Sequence, residues 1–157
     1  MKTISAIDTA KLILARIKKI EKENAETVSR LKLLKLLYYI QGYHLAMFNK
    51  PLFNAEVEAW DHGPVVRSVY NWIRKQKDDE TVNKMAFSDE EVKNLNLHDT
   101  QIELIDDVLK IYNKYSAYGL RDKTHKETPW LENYEKGENN EISKDCLKRF
   151  FTPLVER

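Results

Sequence analysis

The chain has 157 residues and a mass of 18.6 kDa, and its 26 basic and 25 acidic side chains leave a net charge of +1. That length corresponds to one domain of ordinary size, and 42% apolar with 10% aromatic residues is too much for a disordered chain. No apolar run approaches the roughly 18 residues of a membrane-spanning helix, residues 1–7 lack the apolar core of a secretory signal, and a lone Cys146 excludes disulfide or cysteine–zinc scaffolds, all of which fits a reducing cytosol.

In chain order, Ser5 reads as a helix N-cap with Asp8 three residues on. Ile7, Ala10, Ile13, Leu14, Ile17 and Ile20 follow at helical spacing. Ser29 opens a second helix. From Leu31 onward it is apolar on most sides, the mark of a central core helix, until Asn49 takes a left-handed cap and Pro51 blocks continuation. Glu56-Val57-Glu58-Ala59-Trp60 alternates like a short strand. Asp61-His62-Gly63-Pro64 is a turn, and Pro64 is expected at the first position of a third helix carrying Val66, Val69, Tyr70 and Ile73. Residues 77–80 read as a charged loop and Met85-Ala86-Phe87 as a second strand. Ser88 with Glu91, and Thr100 with Glu103, form capping boxes for two more helices. Ser116 caps a short helix, Thr128 and Pro129 start another that contains Trp130, and Ser143 opens the last, with Ile142 and Leu147 as a hydrophobic staple. The expectation is a mainly α fold: a compact bundle of about seven helices around a central apolar helix, with a small β element, forming one domain over residues 1–157.

Charge is unevenly spread. Residues 11–35 hold eight basic and three acidic side chains, and residues 78–107 hold ten acidic and two basic. Two solvated helix faces of opposite sign, attracting each other, account for this more simply than partner steering does. The basic side chains lie outside apolar stripes, and no recognition helix or basic–aromatic interleaving is present, so direct nucleic-acid binding is not expected.

Chemistry-bearing residues are few. His44 lies in the apolar helix and reads as a satisfied core histidine; His98 reads as solvated. His62 and His125 sit in loops beside helix starts, near Trp60 and Trp130. With Asp61 and Glu127 they offer metal ligands, but without the i, i+4 spacing of a zinc-protease helix. Cys146 reads as a small core residue, and no Gly-x-Ser-x-Gly elbow or Gly-rich phosphate loop occurs. Catalytic residues, metal and cofactor are therefore all expected to be none. What stands out is two rigid aromatic loops, Trp60-Asp61-His62-Gly63-Pro64 and Thr124-His125 through Pro129-Trp130, of a kind that either packs the helix ends or anchors a partner.

Four blocks in this order resemble the Panacea antitoxin domain, also called SocA-like, which includes phage-associated GepA-type proteins. They are Lys35-Leu36-Leu37-Tyr38-Tyr39-Ile40-Gln41-Gly42-Tyr43-His44-Leu45-Ala46, Lys50-Pro51-Leu52-Phe53, Glu58-Ala59-Trp60-Asp61-His62-Gly63-Pro64-Val65-Val66, and Thr124-His125 through Pro129-Trp130. The resemblance covers residues 10–151. It implies a cytoplasmic bacterial or prophage antitoxin that binds a cognate toxin protein directly, with no membrane partner. The alternatives are an adaptor delivering the toxin to a ClpXP-type protease, and a metal-dependent hydrolase or nuclease using His62 and His125. The residues assigned to the motif or to partner binding are Trp60, His62, Gly63, Pro64, Thr124, His125, Pro129 and Trp130. The helix-turn-helix domain of many members is not expected here, and Arg121-Asp122-Lys123 replaces the family's usual apolar–acidic lead before Thr124.

Overall fold

A helix that is apolar on every side has to be covered on every side, and helix α2 (Arg30–Phe48) is the axis around which the other elements pack. Every residue from 33 to 45 is buried. Ser29 Oγ accepts the Lys32 N–H at one end, and Asn49, at φ 56°, closes the other with its N–H on Leu45 O. The computed structural model describes residues 1–155. Among these it has nine α-helices and a three-stranded antiparallel sheet, so the mainly α expectation holds with two more helices than the seven counted.

Helix α1 (Ala6–Glu21), capped by Ser5 Oγ on the Asp8 N–H, lays Ala6, Ala10, Ile13, Leu14 and Ile17 on the core. Strands β1 (Val57–Trp60) and β2 (Gly63–Val66) form a hairpin, with Trp60 opposite Gly63 and Asp61-His62 as its two-residue turn. Strand β3 (Asn140–Ile142) pairs with the other edge of β1, giving the order β2-β1-β3. Helix α3 (Arg67–Arg74) follows β2 directly, so Pro64 sits in a strand and not at a helix start. Proline is tolerated there because β2 is an edge strand, where a missing N–H breaks no ladder on the open side.

Residues 78–107 contribute α4 (Asp79–Asn83), α5 (Asp89–Asn94) and most of α6 (Asp99–Tyr112). The loop expected at residues 77–80 is where α4 begins, because Asp78 Oδ1 accepts both the N–H and the hydroxyl of Thr81. Met85-Ala86-Phe87 is not a strand; the Phe87 N–H donates to Lys11 O on α1 instead of to a neighbouring strand. The cap of α6 is His98, two residues before Thr100, and its N–H donates to Gln101 Oε1. The two oppositely charged segments do meet. Arg16 grips Asp106 through two bonds of 2.9 and 2.8 Å, with both side chains only 19% exposed, while Lys19–Asp89 and Arg30–Asp79 are more open pairs of small worth.

Helices α7 (Ala117–Thr124) and α8 (Thr128–Asn133) lead to β3 and then to α9 (Lys144–Val155), which covers α2 over much of its length. Ser143 opens α9 by accepting the Cys146 N–H, whereas the cap position of α8 is Glu127, which puts Pro129 second in the helix. The α2–α9 contact depends on Gly42. A Cβ there would lie 2.1 Å from the ring of Phe151, which is itself fully buried. Gly42→Ala is expected to lower stability by about 2 kcal/mol or more in urea unfolding, from overpacking alone. Adding Phe151→Leu should recover part of that loss; a double variant no better than the sum of the singles would show that the ring is not the obstacle.

Candidate functional site

The two aromatic loops, about sixty residues apart in sequence, meet in the fold. Trp130 Nε1 donates to Trp60 O at 2.7 Å. The Trp130 ring stacks on His125, 4.1 Å between centroids, and on Tyr134, 4.4 Å. Tyr134 in turn donates its hydroxyl to Asp61 Oδ1 in the hairpin turn. From the other side, Trp60 packs edge-on to Tyr70 and under the Arg67 guanidinium, and both Trp60 Nε1 and Arg67 Nη2 bond Glu58 Oε1. The hairpin turn is thereby held from both flanks.

Seven of the eight assigned residues serve this brace or sit buried beneath it. Trp60 and Trp130 are half-buried, Pro64 and Pro129 are buried, and Gly63 and Thr124 touch one another's space. A Cβ on Gly63 would lie 2.9 Å from Thr124 Oγ1 and 2.8 Å from Lys35 Cε, and its φ of +112° is open only to glycine. His125 is partly buried, and burial together with Arg121 holds its proton affinity below the ordinary histidine range, so it is a neutral stacking ring. His62 differs from the rest: it is exposed at the tip of the turn. No group of three or more His, Cys, Asp or Glu side chains positioned for a metal ion occurs among the described residues.

Two buried charges do not stand out in the sequence pattern. Lys35 falls by position among the basic side chains outside the apolar stripes, but it is fully buried, and its Nζ donates to Pro64 O at 3.1 Å. Burial, with Arg121 nearby, pushes its pKa down to about 7. Glu127 reads in the sequence only as a companion to His125. It is 8% exposed and accepts the hydroxyls of Tyr38 and Tyr39 at 3.0 and 3.1 Å, and burial pushes its pKa up to about 7. The signal that marks both is their company: Lys35 lies inside a helix apolar on all sides, and Glu127 directly precedes a Thr-Pro helix start.

His44 is the satisfied core histidine that its setting implies. Nδ1 lies 2.6 Å from Lys50 O and must carry the proton, since a carbonyl only accepts, leaving Nε2 to accept from the Gln101 amide at 3.0 Å. Burial holds it neutral. Cys146 is buried, and burial raises its thiol pKa, as for a small core residue with little thiolate. Among the described residues no helix is long and apolar enough to cross a membrane.

The model of a family described as antitoxin SocA-like, Panacea domain, matches residues 33–131, from within α2 to within α8. No curated protein and no solved structure matches the chain.

The two buried charges give stability a V-shaped dependence on pH. Glu127 holds its proton more tightly folded than unfolded, so between its ordinary 4.5 and about 7 the folded form carries the extra proton and loses stability as pH rises. Lys35 holds its proton less tightly when folded. Between about 7 and its ordinary 10.5 the unfolded form carries the extra proton, and the folded form gains stability as pH rises. Each arm is on the order of a few kcal/mol, since every tenfold change in proton affinity is worth about 1.4 kcal/mol. Urea midpoints measured from pH 5 to 10 should pass through a minimum near 7. Glu127→Gln should flatten the acid arm alone and Lys35→Met the alkaline arm alone; an arm that survives its own substitution belongs to another group.

Proposed function

We propose, from the premise that the chain belongs to the SocA-like Panacea antitoxin family, that it is a cytosolic antitoxin which neutralises a cognate toxin by direct protein–protein binding. The family match carries the reading, since the matched residues 33–131 include both the braced hairpin and most of the central helix that supports it. A binding role also suits how the assigned residues are used. Trp60, Gly63, Pro64, Thr124, His125, Pro129 and Trp130 fix the shape of the turn, and His62 is the side chain that the turn presents.

A second face has the composition of a protein contact. A groove of about 840 Å³ runs between α6, α7 and α9, lined by Tyr115, Phe150 and Leu154 and by the charged Asp122, Lys123 and Lys126, over the buried Tyr43 and Tyr112. Ile111, 45% exposed, lines its edge, and Tyr118, 69% exposed, sits on α7 beside it. Tyrosine and phenylalanine give contact area at low entropy cost, which favours them as anchors in interfaces.

The test is co-expression with the neighbouring open reading frame. That frame alone should arrest growth, and this chain should restore it. His62→Ala and Ile111→Glu with Tyr118→Glu are expected to weaken rescue at unchanged melting temperature, each reporting its own face. His125→Ala with Trp130→Ala should abolish rescue and lower the melting temperature by several degrees, because it dismantles the brace. A harmless neighbouring frame would remove the toxin from the proposal. Full rescue by both surface variants would place the contact elsewhere on the chain.

A further inference from the structure

A cavity of about 270 Å³ lies between the N-terminal half of α2 and the β1–β2 hairpin, walled by Leu31, Leu34, Val65, Trp60 and Tyr70, with the buried Lys35 also in its lining. We propose that it is a binding site for a carboxylate joined to an aromatic or branched apolar body, with the Lys35 ammonium as the anchor for the carboxylate.

Three observations carry this. First, Lys35 is a cation short of acceptors. It is fully buried, it gives one of its three N–H groups to Pro64 O, and no carboxylate among the described residues lies within ion-pair distance of it. Both hairpin carboxylates are engaged elsewhere, Asp61 by Tyr134 and Glu58 by Trp60 and Arg67. Second, a further cation lies nearby, while Asp61 and Glu138 in the lining carry the opposite sign. Arg121 is close enough to depress the proton affinity of both Lys35 and His125, and Arg121 Nε is itself buried without an acceptor. A buried ammonium without a counter-charge is costly, and an incoming monoanion restores the balance. Third, one side of the lining is apolar and aromatic, beside the polar Asp61, His62, Glu138 and Asn139, so a ligand that fills the cavity sets an apolar body against the former. The volume exceeds the roughly 150 Å³ that holds a benzene ring in a protein core, leaving room for a short arm bearing the carboxylate. Gly63 contributes by omission, since a Cβ there would displace the Lys35 tail that passes beneath it.

Such a ligand has two sources, a free small acid or the terminal residue of a peptide chain. The inference goes beyond toxin neutralisation and is tested on the isolated chain, so it stands or falls separately. The probes are 3-phenylpropionate, its uncharged amide 3-phenylpropionamide, and the peptide acetyl-Gly-Phe with a free C-terminus. Binding is read from Trp fluorescence and from the ε-carbon resonance of Lys35. Saturable binding of an acid in the millimolar range or tighter is expected, with the amide at least tenfold weaker. Arg121 and His125 from the α7 end, Asp61 and His62 from the turn, and Glu138 ahead of β3 also face this corner. Because Lys35 loses its proton near 7, affinity should fall roughly tenfold between pH 6 and pH 8, following the Lys35 resonance and not that of His62. Lys35→Met should abolish binding of the acid. If that variant fails to fold, the Lys35 resonance of the unaltered chain still decides, because it must move with saturation. Binding of 3-phenylpropionate alone identifies a small acid; binding of the peptide as well identifies a chain terminus. Equal binding of acid and amide, or a Lys35 resonance unmoved by either acid, overturns the proposal.

Discussion

Burying one helix on every side leaves each polar group on it a single way to be satisfied, which is to bring a particular other segment of the chain to it. Helix α2 carries a series of such groups, and between them they fix most of its neighbours. Lys35 holds Pro64 of the edge strand. Tyr38 and Tyr39 hold Glu127 at the α7–α8 junction. Gln41 takes both N–H groups of Leu52 and Phe53 on its carbonyl and gives its amide to Phe53 O, clamping the segment that leaves the helix. The Tyr43 hydroxyl meets that of Tyr112 at the far end of α6, and His44 links Lys50 O to Gln101 at its start. The apolar residues of α2 supply the driving force, but they would accept many arrangements of the elements around them. The polar groups narrow the choice, because each wrong arrangement strands a buried donor or acceptor at a cost of about 1–3 kcal/mol.

The hairpin and the α7–α8 junction inherit their positions from this pattern. Lys35 and Glu127 draw the two segments to neighbouring turns of α2, and the His125–Trp130–Tyr134 stack then joins them to each other. A turn of two residues, Asp61-His62, is therefore carried by a rigid frame that takes in most of the aromatic loop residues. Preorganisation of this kind lowers the entropy lost on association, which suits a protein whose family is one of antitoxins.

Much of the fold is legible from local chemistry. Ser5, Ser29, Ser88 and Ser143 cap helices where their side chains announce it, Asn49 takes the left-handed position, and the all-round apolar segment is the central helix. What escapes depends on distant pairing. Pro64 has the local signature of a helix start, yet it is an edge-strand residue because Ala59 lies opposite it, and β3 has no alternation of its own but is held by β1. Met85-Ala86-Phe87 has strand-like composition, yet its backbone turns to α1. At the candidate site, both loops are visible as aromatic-bearing turns, but their mutual contact is not. Lys35 reads as solvent-facing because a basic residue near other basic residues looks like part of their face, and only the packing of α7 and β2 reveals that this turn of the helix has no outside.

The Gly42–Phe151 contact has a consequence for how the chain is made. The central helix ends at Phe48, while the helix that lays Phe151 against it starts at Lys144. On a ribosome adding about 5–20 residues per second, roughly 5–20 seconds separate the emergence of the two. Throughout that interval the nascent polypeptide carries a long apolar helix with one flank uncovered, a target for chaperones and proteases alike. Closure of the core thus waits for α9, and a ribosome that stalls before Lys144 leaves a product without the element that seals it.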